Sequence, residues 1–165
     1  MQTILGAGGP IADELARELH RHYTRDIRLV SRSPRKVNET DELFPADLMD
    51  ADATSAAVAG SEVVYLTVGL PLDSALWEER FPVMMTNTIA ACRQHGARLV
   101  FFDNTYMYPR TSAVQTEDTA FAPVGRKATV LSRIAEQLLA SMSAGNVEAV
   151  IGRAPEFTVP ARRKA

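Results

Sequence analysis

Short runs rich in apolar and β-branched residues recur along this chain, at Met1–Leu5, Asp26–Ser31, Phe44–Leu48, Glu62–Gly69, Arg98–Asp103 and Val147–Gly152. Each has strand length, and Glu62–Gly69 is apolar on both alternations, as a central parallel strand buried on both faces would be. Between them the period changes. Ile11, Leu15 and Leu19 stand four apart with Ala16 between them, while Arg17, Glu18 and Arg21 fall on the opposite side of the same helix. Further helical stretches are expected near 53–59, 80–95 and 127–144, the last carrying Leu131, Ile134, Leu138 and Met142 on one stripe. Pro71 through Trp77 is the main irregular stretch. Strands alternating with helices predict a three-layer α/β architecture, a doubly wound parallel sheet.

The junction of the first strand and first helix reads Gly6-Ala7-Gly8-Gly9-Pro10-Ile11-Ala12. Glycines let a backbone turn tightly and approach a phosphate, and a helix amino terminus offers unpaired N–H groups and a favourable dipole. Gly6, Gly9 and Ala12 fit the spacing G-x-x-G-x-x-A, with Ala12 packing helix on sheet; Gly6-x-Gly8 would put the bulkier Ile11 there. A dinucleotide cofactor is therefore expected against Gly6, Gly9, Pro10 and Ile11.

The next strand ends in Ser31-Arg32-Ser33-Pro34-Arg35-Lys36. An NAD-binding chain is expected to carry an acid here for the ribose hydroxyls; two hydroxyls and three cations suit a 2′-phosphate instead, with Arg32 its bidentate partner. NADP is thus expected in preference to NAD. The alternative is a solvated basic turn. Asp47 could accept from the adenine amino group while Leu48 covers the ring; equally, Asp47 could cap a local turn. Val68 and Gly69 end the central strand beside the expected cofactor.

Gly6-x-x-Gly9-x-x-Ala12, Ser31-Arg32, Ala46-Asp47-Leu48, Ala59–Val64, Asn87, Asp103-Asn104-Thr105-Tyr106-Met107-Tyr108-Pro109 and Arg153–Phe157 together carry a resemblance. From residue 2 to about residue 157 the chain resembles the extended and atypical short-chain dehydrogenases/reductases, in the NAD(P)-dependent epimerase/dehydratase group. The resemblance implies a Rossmann fold, a nicotinamide beside Gly69 and Asp103, and Asn87 steadying the site from its helix. It also implies a catalytic Ser or Thr after the fifth strand and a Tyr-x-x-x-Lys at a later helix. The Tyr moves the proton, and the Lys lowers its pKa and holds the ribose. Here the chain departs from the family. Asn104 stands at the Ser/Thr position, with Thr105 next to it, and Lys127 has Pro123, not Tyr, four residues before it. Thr105, Tyr106, Tyr108 and Lys127 remain the catalytic candidates. Lys127 is read either as a ribose ligand or as a surface lysine beside Arg126.

The 165 residues suit one domain, expected over 1–157 with a basic tail over 158–165, and without the substrate-binding portion that follows in such families. A net charge of −2 gives no drive toward nucleic acid or an anionic membrane, and no run is long enough to span a bilayer, so a soluble cytoplasmic protein is expected. The single cysteine, Cys92, reads as a core residue, and His20, His22 and His95 lack metal-ligand companions, so no metal is expected. Three readings follow: an oxidoreductase-type domain transferring a hydride to or from a small hydroxyl or carbonyl substrate, such as a sugar derivative; a non-catalytic NADP(H) sensor; or a truncated family member. Helices 80–95 and 127–144 are those the family uses for homodimers.

Overall fold

A computed structural model describes residues 1–155. Its order is β1 (Gln2–Leu5), α1 (Pro10–His22), β2 (Ile27–Ser31), β3 (Glu42–Pro45), α2 (Ala51–Val58), β4 (Val63–Leu66), α3 (Ser74–His95), β5 (Arg98–Asp103), α4 (Arg126–Ser143) and β6 (Ala149–Arg153). All strand pairs are parallel, in the sheet order β3-β2-β1-β4-β5-β6. That is the Rossmann order, reversing between β1 and β4 at the carboxyl edge where ligands bind.

Register explains how the sheet divides its side chains. Leu29, Ile4, Tyr65, Val100 and Val150 form one row across five strands, and Val30, Leu5, Leu66, Phe101 and Ile151 form the next. Successive residues of a strand point to opposite faces. The first row meets Ala12, Ala16 and Leu19 of α1; the second meets the larger core under α2, α3 and α4. Cover on the first face thins away from α1: Leu29 and Ile4 are fully buried, whereas Val150 is 55% exposed.

The helix starts are fixed locally. Gly9 caps α1 with Pro10 in its first turn, where the missing N–H costs nothing. The stretch expected to be irregular, Pro71 through Trp77, in fact runs into α3 at Ser74. Asp73 accepts from the N–H groups of Ala75 and Leu76, nucleating the helix two turns before the expected start at residue 80. Pro82 lies inside that helix and does not end it. Trp77 consequently fills space between helix and sheet, edge-on to Phe81 at 5.0 Å. The third strand is shifted too: β3 ends at Pro45, and Asp47 and Leu48 lie in the turn beyond it, closed by the Asp50 N–H on the Asp47 carbonyl. Glu156, Phe157 and the basic 158–165 segment lie outside the described residues.

Candidate functional site

The sheet's carboxyl edge opens into a cleft of about 720 Å³ lined by the glycine turn, the ends of β2, β3 and β4, and the flank of α3. Gly6, Gly9, Pro10, Ile11, Ser31, Arg32, Asp47, Leu48, Val68 and Gly69 all line it, so ten residues picked from separate segments of sequence converge on one cavity.

Two glycines in the turn serve different ends. Gly6 has φ +96°, and a Cβ there would lie 2.8 Å from the Cα and N of Val68, so the fold itself requires glycine at the β1–β4 crossing. Gly9 is extended, at φ −89° and ψ 160°, and a Cβ would meet nothing within 4 Å. Among the described residues nothing needs Gly9 to be small. Its helix start also lacks a side-chain cap, leaving first-turn N–H groups pointed at open space. A cradle that a side chain would fill, over uncapped donors, fits a pyrophosphate.

Beside the cleft at the end of β2, a basic cavity of about 830 Å³ is lined by Arg17, Arg32, Arg35 and Lys36 with Ser31 and Ser33, and Asp13 is its one acid. Lys36 donates to the Glu39 carbonyl at 2.6 Å, and Arg17 pairs with Glu14. Arg32 and Arg35 make no hydrogen bond or ion pair with a described residue. Asp47 caps a local turn, its Oδ1 accepting from the Met49 N–H at 3.0 Å, and it also lines the cleft. Asn87 donates from Nδ2 to the Leu48 carbonyl at 2.9 Å, holding that turn against α3.

Asp103 and Lys127 do not line the cleft. Asp103 is sealed, its side chain 1% exposed, with Oδ2 accepting from Arg153 Nε at 3.2 Å. Burial pushes its carboxyl above the ordinary range, against the opposing pull of the Asn104 backbone N–H and Arg153. Arg153 also donates from Nη1 to the Tyr108 hydroxyl at 2.9 Å and lies over the Tyr108 and Phe121 rings. Asp103 Oδ1 and Arg153 Nη2 are buried without a hydrogen-bond partner among the described residues.

Thr105, Tyr106, Tyr108 and Lys127 line a separate cavity of about 370 Å³ between the β5–α4 loop and the first turn of α4. Tyr106 is 43% exposed, with its backbone N–H donating to Asn104 Oδ1 at 2.9 Å. The Lys127 ammonium lies 4.6 Å from the centre of the Trp77 ring and 5.3 Å from that of Tyr106.

Sequence reasoning passed over Gly8, Thr67, Arg80 and Met84, which also line the cleft. Gly8, at φ +100°, was visible in the glycine run. Arg80 and Met84, four apart on α3, both lie on its cleft side. Elsewhere His95 Nε2 lies 3.0 Å from Ser55 Oγ, and buried Cys92 has its thiol pushed up to about 12 by desolvation. Among the described residues no group of three or more candidate ligands could hold a metal, and no helix is long and apolar enough to cross a membrane.

No curated protein sequence matches the chain significantly. Solved structures do match in fold: a uronate dehydrogenase from Agrobacterium tumefaciens (TM-score 0.74, 21% identity, 90% of this chain and 57% of that one) and a UDP-galactose 4-epimerase (0.76, 20%, 93% and 55%). A short-chain dehydrogenase/reductase superfamily protein from Agrobacterium tumefaciens with bound NAD matches at 0.78, with 21% identity, over 93% of this chain and 48% of that one. The chain thus spans about half the length of these structures. The family model described as NAD(P)H-binding matches residues 6–116, from the glycine turn into the loop after β5. The chain accordingly belongs to the NAD(P)H-binding family, and it shares the fold of these dehydrogenase and epimerase structures.

Proposed function

We propose that this chain binds NADP(H) in preference to NAD(H) and serves an oxidoreductase that transfers a hydride to or from a small hydroxyl- or carbonyl-bearing substrate. One observation carries the cofactor preference: Arg32 and Arg35 stand without described partners in a basic cavity at the end of β2. An acid there would repel a 2′-phosphate; a planar guanidinium holds it with two parallel hydrogen bonds. Gly9 and the first turn of α1 receive the pyrophosphate, Asp47 and Leu48 the adenine, and Val68 and Gly69 the nicotinamide side. The cofactor, when bound, supplies or accepts the hydride.

The names uronate dehydrogenase and UDP-galactose 4-epimerase make sugar derivatives the first substrates to test. For the proton we assign Tyr106 rather than Tyr108. Tyr108 is buried with its hydroxyl held by Arg153, while Tyr106 is open to the smaller cavity beside Lys127. A proton donor must reach the reacting oxygen, and a hydroxyl already occupied in the core does not.

Binding without turnover is the second reading, favoured by Pro123 in the place of the family's tyrosine. Fluorescence titration with NADPH and NADH, followed by NADPH oxidation against a panel of sugars, aldehydes and ketones, tests both. Equal affinities for the two cofactors would remove the NADP preference. Turnover that disappears in Tyr106→Phe identifies the acid; no turnover with any substrate leaves the sensor reading.

A further inference from the structure

We infer that the cavity between the β5–α4 loop and α4 is a substrate site for a compound carrying an oxyanion, carboxylate or phosphate, beside its hydroxyl or carbonyl group. The inference rests on the hydride-transfer reading above and adds to it the chemical class of the substrate.

The cavity, of about 370 Å³, is large enough for a small metabolite, and it is lopsided in charge. Arg110 and Lys127 line it, and no Asp or Glu does. Neither cation is neutralised by its surroundings. Arg110 makes no hydrogen bond or ion pair with a described residue. Lys127 is held over the Trp77 and Tyr106 rings, which fix an ammonium in place through their π faces while leaving its full charge available. The acid on the adjoining face of α3, Glu78, is already taken by Arg126, through contacts of 2.6 and 3.1 Å. Two cations facing one concavity repel each other, and an anion between them relieves that repulsion. Thr105, Tyr106 and Gln115 supply neutral donors and acceptors for the remainder of a polar substrate.

The position suits a substrate as well. Trp77, beneath Lys127, donates from its indole N–H to the Pro71 carbonyl at 2.7 Å, and Pro71 lines the cofactor cleft next to Gly69 and Leu70. Trp77 thus links Lys127, on this cavity, to Pro71, on the cofactor cleft. Phe102, three residues before Thr105, lines the cleft from β5.

Trp77 is the single tryptophan of the chain, so its indole N–H resonance reports on this link alone. The full chain, saturated with NADPH, would be titrated with two matched pairs of aldehydes: succinate semialdehyde against butanal, and glyceraldehyde 3-phosphate against glyceraldehyde. The charged member of at least one pair should shift the indole signal at roughly tenfold or more lower concentration than its neutral partner. Arg110→Ala should cost roughly tenfold or more for the charged ligand alone, the range expected for one charge-assisted contact, and Arg110→Lys should recover part of it. Whichever pair shows the larger ratio separates carboxylate from phosphate. Equal binding of charged and neutral members, or charged binding untouched by both Arg110→Ala and Lys127→Ala, overturns the proposal. The NADPH titration in the same samples tells the two readings apart: failure of NADPH to bind counts against the cofactor reading, while the indole titration still reads oxyanion binding by itself.

Discussion

The two ends of the sheet's carboxyl edge dispose of their polar groups in opposite ways. At the glycine turn and the end of β2, the groups suited to a ligand are left unused by the protein: the first-turn N–H groups of α1 have no side-chain cap, and Arg32 and Arg35 have no described partner. At the end of β5 the polar groups consume one another. Arg153 joins Asp103 to Tyr108 across the carboxyl ends of β5 and β6, so two residues that suggested chemistry hold the β5 loop to the sheet instead. What remains open there is the cavity of Tyr106, Thr105 and Lys127. A buried charge pair is costly to assemble and costly to break, whereas an unpaired surface cation is free to bind. The pairing state of a side chain therefore separates scaffold from site better than its residue type does.

The sharpest test of this contrast uses the two glycines of the turn. Gly9→Val should reduce NADPH affinity by roughly a hundredfold or more with little change in melting temperature, because the space it fills is the phosphate's and not the core's. Gly6→Ala should instead destabilise the fold, by about 1–3 kcal/mol, through a strained φ and collision with the Val68 backbone. Urea unfolding and cofactor titration on both variants separate the effects, and a Gly9→Val protein with normal affinity would break the comparison. Next in size, Arg32→Ala should weaken NADPH by roughly tenfold to a hundredfold, since charge-assisted contacts contribute about 1.5–3 kcal/mol, and leave NADH nearly unchanged. A matched loss for both cofactors would mean that Arg32 touches the shared part of the dinucleotide.

Much of the cleft was legible in the sequence because its residues sit at strand ends, and strand ends are where apolar periodicity stops. Gly6, Arg32, Leu48 and Gly69 each follow directly from such a stop, and the parallel sheet then brings them together. The chemistry end was less legible for two physical reasons. Asp103 and Tyr108 are paired through Arg153, which lies 50 residues from Asp103, and long-range pairing leaves no local periodic signal. The placement of Lys127 depends on Trp77, and the start of α3 was obscured by Pro71 and Pro82 until Asp73 is recognised as a cap.

Tyr106 and Tyr108 offer a smaller test within one loop. Tyr108→Phe removes the acceptor of the Arg153 Nη1 donor and should cost about 1–3 kcal/mol of stability, with NADPH affinity unchanged. Tyr106→Phe removes an open hydroxyl and should leave thermal stability within about 0.5 kcal/mol, any effect appearing in turnover. Denaturant melts of the two variants decide the matter, and reversed stabilities would exchange their roles.

The smallest expected effect concerns pH. Burial raises the Asp103 carboxyl above its ordinary value of 3.8, so the folded chain holds this proton more tightly than the unfolded chain does. The stability contributed by that proton is complete below about 3.8 and is lost as pH rises through the native-state value, because the unfolded chain then gives up its proton more readily. Asp103→Asn keeps the shape and removes the titration. The stability of the variant relative to the unmodified protein should therefore climb as pH rises from about 3.5 through the raised native-state value toward neutrality. Urea unfolding at a series of pH values measures it. A difference that stays flat would show the Asp103 charge to be fully compensated by Arg153, making the end of β5 a neutralised clasp; a difference that falls with pH would mean that the ion pair outweighs burial.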